Sequence, residues 1–228
     1  MRIALLGPPG AGKGSLAALW AQRRRLRHIS TGQIFRQEMA RHSALGRRVQ
    51  RFVTHGKLVP DALVVEVMTR RLNTLRSKEG FVLDGFPRTI GQAKGLDAVM
   101  NRVGRPLDGA IYLAAPQAVL VRRLSGRRVC SRCGANYHVR TMPPKRPGRC
   151  DRCQGTLTVR RDDHPMTIRR RLRIDRAKAR PLVRYYAGQR KLHRVDGRGT
   201  VEEVLHRAVR LCRAQRWLGR SPRRVGAA

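Results

Sequence analysis

Short apolar runs alternate with longer amphipathic stretches along most of this 228-residue chain. The apolar runs have the length and composition of buried strands, and they cover residues 2–6, 27–29, 80–83, 107–115 and 192–195. The stretches between them have helical spacing. They predict helices at about 13–25, 33–58, 117–125, 166–189 and 201–212, one further helix that begins at residue 60, and another that ends at about residue 103. Strands that alternate with helices in this order predict an α/β fold with a parallel sheet flanked by helices.

Two stretches depart from this alternation. Residues 126–163 contain four cysteines, adjacent prolines and many basic residues but no long apolar run, so we expect a small inserted module there. Residues after 218 have no apolar periodicity and predict a frayed tail. Thr200 and Glu203 have the spacing of a capping box, which places the start of the last helix at this point.

The first apolar run ends in a glycine-rich loop that leads directly into a helix. Its sequence, residues 7–15, contains Lys13 followed by Gly14 and Ser15. Glycines allow successive backbone amides to converge on one point, and the start of a helix presents unpaired N–H groups. Lys13 adds a charge suited to phosphates, and the Ser15 hydroxyl suits Mg²⁺. The pattern indicates a P-loop that binds a nucleoside triphosphate; the alternative is a glycine-rich turn without a ligand.

Four cysteines form two C-x₂-C pairs separated by sixteen residues, and they are Cys130, Cys133, Cys150 and Cys153. This spacing is typical of a structural zinc site with four thiolate ligands. Two disulfides or unrelated free thiols are the alternatives, and a cytosolic setting disfavours disulfides. Cys212, the fifth cysteine, lies on the apolar side of the last helix and is expected to be a small buried hydrophobe.

The chain is strongly basic, with 51 Lys and Arg against 14 Asp and Glu and a net charge of +37. Such a charge is typical of proteins that bind nucleic acid, but a compositional bias spread over the whole surface produces the same value. The basic residues are dispersed, and aromatic residues make up only 4%. No apolar run reaches the length of a membrane span, and the N-terminus lacks a signal-type pattern, so we expect a cytoplasmic protein without a membrane partner.

Taken together, the motifs resemble the adenylate kinase family, in its long form with a zinc-carrying lid. The residues that carry the resemblance are 7–15, 30–32, 56–59, 84–89 with Gln92, 126–128, 160–163 and 169–171. The resemblance implies a P-loop core at 1–29, 60–126 and 165–217, with a helical AMP-binding segment at 30–59. It also implies a small zinc-ribbon-like lid at 127–164 and a flexible tail at 218–228.

The resemblance further implies a reversible, Mg²⁺-dependent transfer of a phosphoryl group from ATP to AMP that gives two ADP. The implied catalytic residues are Lys13, Asp84, Arg88, Arg123, Arg160 and Arg171. The implied ATP contacts are Gly10, Ala11, Gly12, Lys13, Gly14, Ser15, Arg127, Asn136, Tyr137 and Gly199. The implied AMP contacts are Thr31, Arg36, Lys57, Leu58, Val59, Gly85, Phe86, Pro87, Arg88, Gln92, Arg160 and Arg171. Asp84 would orient Mg²⁺ through water, the four cysteines of the two pairs would hold zinc, and the protein would be a monomer.

The residue types suit this chemistry, since planar guanidinium groups hold phosphate oxygens and no covalent nucleophile is needed. Asp162 and Asp163 are either partners of these arginines or surface residues. Gln33 departs from the family, which usually has an acidic residue there. Two other functions remain open at this stage. The first is a kinase that acts on another nucleoside monophosphate, and Thr31 and Gln92 argue against it because they favour adenine. The second is a nucleic-acid-binding protein, in which the motifs at 30–32 and 84–89 would have no purpose.

Overall fold

The computed structural model describes residues 1–54, 59–76, 79–160 and 163–218. These residues form eight strands, β1 (Arg2–Leu6), β2 (Arg27–Ser30), β3 (Phe81–Asp84), β4 (Gly109–Ala114), β5 (Arg127–Cys130), β6 (Asn136–His138), β7 (Leu157–Thr158) and β8 (Leu192–Asp196). They also form eight helices, α1 (Lys13–Arg24), α2 (Thr31–Ala40), α3 (Ala44–Thr54), α4 (Asp61–Asn73), α5 (Ile90–Arg102), α6 (Gln117–Ser125), α7 (Pro165–Gly188) and α8 (Val201–Ala214).

Five of the strands form the predicted parallel sheet, in the order β2-β3-β1-β4-β8. Leu5 pairs in register with Asp84, and Ser30 pairs with Asp84 from the other side. The carboxyl ends of β1, β2 and β3 therefore meet at one edge of the sheet. In open parallel sheets this edge is where ligands bind.

Both faces of the sheet are covered by apolar clusters. Successive residues of a strand point to opposite sides, so one strand can contribute to both clusters. In β1, Ala4 and Leu6 pack into one apolar cluster with Phe81 and Leu83, whereas Ile3 and Leu5 pack into a second. Helices α4 and α5 cover the first face, and α1, α6 and α8 cover the second. Continuous apolar strands such as β1 are what a sheet buried on both faces requires.

The structure differs from the sequence pattern between residues 33 and 58, where it forms two helices instead of one. The chain turns between α2 and α3 at His42, whose φ of 51° is left-handed. Ser43 stabilises the new helix start, since its hydroxyl accepts a hydrogen bond from the Gly46 amide (2.9 Å) and donates one to the Glu38 carboxylate (2.6 Å). A β-carbon at Gly46 would lie only 2.1 Å from the Glu38 carbonyl oxygen, so the two helices pack backbone to backbone here.

The inserted stretch forms a small antiparallel sheet of its own, β6-β5-β7. We call residues 127–160 the cysteine module. Its buried cluster consists of Cys130, Tyr137 and Cys150 only. The sequence indicates a module with little regular structure here, and the structure adds short strands that bring the two cysteine pairs together.

The other end of the chain follows its local signals. Thr200 and Glu203 form the predicted capping box, with hydrogen bonds of 2.8 and 3.2 Å between side chains and backbone amides. Cys212 is fully buried among the apolar residues of α8, as predicted. Across the described ranges, none of the helices combines the length and apolar character that crossing a membrane demands.

Candidate functional site

The glycine-rich loop connects β1 to α1 at the carboxyl edge of the sheet. Gly7 and Gly10 have left-handed φ angles of 131° and 82°, and a β-carbon at either would lie within 2.8 Å of a carbonyl oxygen of Leu113 or Leu120. Only glycine satisfies both the angle and the space. The loop is thereby pressed against β4 and α6, and Gly12 caps the start of α1. The amides of residues 10–15 lie at the N-terminus of a helix, which is a favourable place for phosphate.

Lys13, the first residue of α1, folds its side chain back over this loop. Its ammonium group donates hydrogen bonds to the carbonyl oxygens of Gly7 and Pro8, the latter at 2.9 Å. Burial lowers the pKa of Lys13 to about 8, although the charges of Asp84 and Asp175 oppose this shift. A buried cation whose hydrogen bonds go to carbonyl oxygens is well placed to pair with an incoming phosphate.

Asp84, the last residue of β3, lies beside the loop. Its carboxylate would come within 3.2 Å of a β-carbon at Gly14, so the glycine after Lys13 provides the space that Asp84 occupies. Burial favours a higher pKa for Asp84, but His28, Lys13 and Ser30 outweigh this effect and lower its pKa below the usual value. The group is therefore held as a carboxylate. The His28 Nε2 atom lies 3.5 Å from it without hydrogen-bond geometry, and no sequence signal singles out this histidine.

Some of the residues predicted to hold AMP meet at the turn that follows Asp84, namely Thr31, Gly85, Arg88 and Gln92. The Gly85 carbonyl accepts hydrogen bonds from the Thr31 hydroxyl (3.1 Å) and from the Arg88 guanidinium (2.9 Å). Phe86 is buried and joined to Pro87 by a cis peptide bond. Arg36 is exposed on α2, within reach of Gly32. Val59 is buried, while Lys57 and Leu58 lie outside the described residues.

Gln92 has both ends of its side-chain amide engaged within the protein. Its oxygen accepts from the Arg88 amide (2.8 Å), and its nitrogen donates to Asp61 (2.9 Å). Asp61 also accepts from the Thr89 hydroxyl at 2.6 Å. An adenine contact by Gln92 stays a prediction, and in this conformation it requires one of these bonds to be exchanged. Asp61, which begins α4, is a functional candidate that only the fold reveals.

The predicted phosphate-binding arginines are held by acceptors of the protein itself. Arg123 donates to the carbonyls of Gly197 (2.8 Å) and Gly199 (2.7 Å), and Gly199 is one of the ATP contacts that the resemblance implies. Arg160 donates to the Asn136 side chain at 2.9 Å. Each guanidinium is therefore already oriented before any nucleotide is present.

Asp163 joins two more of these arginines. Its carboxylate accepts two hydrogen bonds of 2.6 Å from Arg127 and one of 3.0 Å from Arg171, and its side chain is fully buried. Asp163 thus pairs with arginines, the first of its two sequence interpretations, while Asp162 lies outside the described residues. The contact links the cysteine module to α7.

Asp175 on α7 interacts with cations of the candidate site, and no motif in the sequence marks this residue. Burial raises the pKa of this carboxyl, while the charges of Lys13, Arg88 and Arg171 oppose the rise. It is four residues beyond Arg171, the spacing of neighbours on one helix face. That spacing is the one sequence signal that could have identified it.

The four cysteines of the two C-x₂-C pairs converge within the cysteine module. Their sulfur atoms all lie within 4.8 Å of one another, with 3.4 Å between Cys130 and Cys153 and 3.5 Å between Cys133 and Cys150. A tetrahedral zinc ion with Zn–S bonds of about 2.3 Å places its sulfurs about 3.8 Å apart, so the set fits this metal. The cysteines are free thiols, not disulfides.

Tyr137 supports this cluster from inside the module. Its hydroxyl lies 3.4 Å from the Cys150 sulfur and accepts a 2.8 Å hydrogen bond from the Asp151 amide. The hydrogen bond from Tyr137 lowers the pKa of the Cys150 thiol, which favours the thiolate that a metal needs. The ring of Tyr137 is buried, and an ATP contact by this residue stays a prediction.

Comparison with known proteins identifies the family. The family model described as adenylate kinase matches residues 5–191. An adenylate kinase of Fervidobacterium nodosum is 47% identical over 205 residues, covering 90% of this chain and 94% of the relative. Those of Thermosipho melanesiensis (93% and 100% covered) and Clostridium botulinum (90% and 94%) are 42% and 41% identical. A family model that covers most of the chain and relatives more than 40% identical over nine-tenths of it show that this chain belongs to the adenylate kinase family.

Proposed function

We propose that this protein transfers the terminal phosphoryl group of Mg·ATP to AMP, reversibly, to give two ADP. The observation that carries the proposal is that Lys13 and Arg88 are close enough for their charges to interact, with Asp84 acting on Lys13 and Asp175 acting on both cations. One cation belongs to the P-loop and the other to the turn where Thr31 and Gly85 meet. Two neighbouring cations, one on each of these two loops, suit a donor and an acceptor phosphate.

On the donor side, the amides of residues 10–15 and the Lys13 ammonium would hold the ATP phosphates. Arg127, Asn136, Tyr137 and Gly199 would contact ATP from the cysteine module and the loop before α8. We propose that the cysteine module is a lid that closes over ATP and excludes water, which would otherwise accept the phosphoryl group.

On the acceptor side, AMP would lie against the turn at residues 85–88. Its phosphate would pair with Arg88 and Arg36, and its base would contact Thr31, Gln92 and the segment at 57–59. Thr31 and Gln92 favour adenine, because an amide offers both a donor and an acceptor to the base edge. A coupled assay across AMP, CMP, UMP and GMP tests this choice, and AMP is expected to be the best acceptor.

Charge that develops during transfer would be stabilised by Arg123, Arg160 and Arg171. Arg123 and Arg160 each donate to an uncharged oxygen of the protein, and Arg171 donates to the Asp163 carboxylate. The phosphate oxygens would replace these acceptors when the lid closes, so the arginines exchange one set of hydrogen bonds for another. Such exchange supplies oriented charge without new ordering of the side chains.

Two metals fit the residues present. The low pKa of Asp84 and the nearby Ser15 hydroxyl suit Mg²⁺, which would neutralise charge on the ATP phosphates. The four thiols suit zinc, which would be structural, because all four coordination positions come from the protein. We also infer a monomer, as the family resemblance implies; sedimentation at assay concentration tests this.

The decisive experiment follows ADP formation from ATP and AMP. The Lys13→Ala variant is expected to lose activity by roughly 100- to 1,000-fold, as on removal of a charge that stabilises the transition state. Lys94→Ala is the matched control, since Lys94 is exposed on α5 and should leave the rate unchanged. A wild-type protein that does not use AMP, or full activity in the Lys13→Ala variant, contradicts the proposal.

A further inference from the structure

Helix α7 carries a row of arginines along its outer side. We call this row the arginine stripe, and its members are Arg169, Arg173, Arg176, Arg180 and Arg184. All of them are exposed. At about 100° of rotation per residue, their positions fall within an arc of about 80°, and the stripe is about 22 Å long. Five of the seven arginines in the α7 sequence therefore share one exposed side of the helix, while Arg170 and Arg171 lie outside this arc.

The arginine stripe lies on a different side of α7 from the core and from the nucleotide site. Ile168 and Leu172 pack against one apolar cluster, and Leu182 and Tyr186 pack against the other. Helical rotation places the centre of the stripe about 120° from this buried side and about 160° from the direction of Arg171 and Asp175. The stripe is therefore independent of the groups proposed to handle ATP and AMP.

No carboxylate of α7 balances this charge on the same side. Asp175 is the one acidic residue in the helix sequence, and it faces the cations of the site. Among the ion pairs that the described residues form, none involves an arginine of the stripe. A row of exposed guanidinium groups with no acidic partner on its helix face is complementary to a regularly spaced polyanion.

We propose that the arginine stripe binds the sugar–phosphate backbone of a nucleic-acid duplex, without sequence selectivity. Guanidinium groups suit phosphate oxygens, and successive charges along a helix match a linear array of phosphates. A single strand would need aromatic side chains for stacking, and only 4% of the chain is aromatic.

A membrane surface fits the stripe less well than a duplex does. Interfacial helices place a broad apolar face beside their basic face. Among the α7 side chains that the structure describes, Ile174 is the exposed large apolar one, and it lies about 120° around the helix from the centre of the stripe. Binding to a duplex backbone requires a line of charges and no apolar face beside it.

The test measures binding of a short DNA duplex of mixed sequence to the full-length protein by fluorescence anisotropy. Between about 50 and 200 mM salt, five phosphate contacts predict a log–log slope of affinity against salt near −4.5. The triple variant R173Q/R176Q/R180Q should reduce this slope by about 3 and weaken binding about tenfold or more at the lower salt. Glutamine keeps the helix propensity of arginine, and melting curves check that the variant folds.

The matched control removes the same charge from three exposed arginines on separate helices. It is R71Q/R102Q/R210Q, with one change each on α4, α5 and α8. The slope and affinity of this control should stay near those of the wild type. The single variant R176Q should lower the slope by about 1, which gives a second measurement if the triple variant melts early.

Three results overturn the proposal. Equal losses in the stripe variant and the control would assign binding to net charge alone. Absence of wild-type binding to the duplex at the lower salt would show that the interaction does not occur. Tighter, stripe-dependent binding to phosphatidylserine vesicles than to the duplex would assign the stripe to membranes. ADP formation should be unchanged in both triple variants, so this test is separate from that of the proposed kinase activity.

Discussion

The parallel-sheet core and the cysteine module are stabilised in different ways within one chain. The core buries large side chains such as Trp20 and Phe81 completely, on both faces of a five-stranded sheet. The module buries Cys130, Tyr137 and Cys150, and its three strands have two to four residues each. Too little apolar surface is removed from water there to offset the entropy of ordering the chain. The core can fold by burial, whereas we expect the module to depend on a metal held by its four cysteines.

The two regions also differ in the charges they bring to the site. The core supplies Lys13, whose pKa is lowered to about 8 by burial. The module and its junction supply arginines, which stay charged at all working pH values. Asp163 connects the two regions, because its carboxylate binds Arg127 of the module and Arg171 of α7. These differences suggest four measurements, from the largest expected effect to the smallest.

Removal of zinc should unfold the module and leave the core intact. Structural zinc sites contribute roughly 10–16 kcal/mol of apparent binding energy, more than the module can replace by burial. Hydrogen exchange after chelation, or in the Cys150→Ser variant, should lose protection at β5 and β6 and keep it at β1 and β3. Cys212→Ala is the control and should retain protection in the module. Unchanged protection of the module without metal would contradict this account.

Truncation of a core side chain should destabilise the core rather than the module. Trp20→Ala leaves a cavity at a fully buried position and should cost about 3–5 kcal/mol of unfolding free energy. Urea denaturation followed by circular dichroism measures this loss. Trp217→Ala is the control, because Trp217 is only half-buried and should cost less. Equal losses for the two tryptophans would show that burial does not govern the stability of the core.

The junction between the regions should be sensitive to the charge of Asp163. Asp163→Asn keeps the shape but weakens three hydrogen bonds to arginines, and about 1.5–3 kcal/mol of unfolding free energy should be lost. Asp196→Asn removes an exposed pair with Arg198 and should cost well under 1 kcal/mol. Thermal melting compares the two, and an equal effect of both variants would argue against a structural role for Asp163.

ATP binding should weaken as pH rises above about 8. The free protein then loses the proton of Lys13, because burial has lowered its pKa to about 8, and bound phosphates favour the charged form. Affinity should therefore be level below pH 8 and fall by up to tenfold per pH unit above it, about 1.4 kcal/mol. Calorimetric titration of ATP measures the profile. The Lys13→Arg variant should lack this decline, and a level wild-type profile would contradict the assignment.

Much of this protein is specified by local sequence. Apolar runs such as 2–6 and 80–83 form the expected strands, because a strand buried on both faces must be apolar throughout. The capping box at Thr200 and the spacing of the cysteine pairs also act over a few residues. The break between α2 and α3 was missed because Ser43 competes with a continuous helix only when Gly46 can pack against Glu38.

The remaining features depend on residues that are distant in sequence, and only the tertiary structure decides them. Thirty-one positions separate Gln92 from Asp61, and thirty-six separate Arg127 from Asp163. His28 and Asp84 meet because β2 and β3 are neighbours in the sheet. Periodicity and motif spacing describe what a segment prefers by itself. Which carboxylate an arginine finds, and whether a buried cation keeps its proton, depends on the packing of segments that the pattern treats separately.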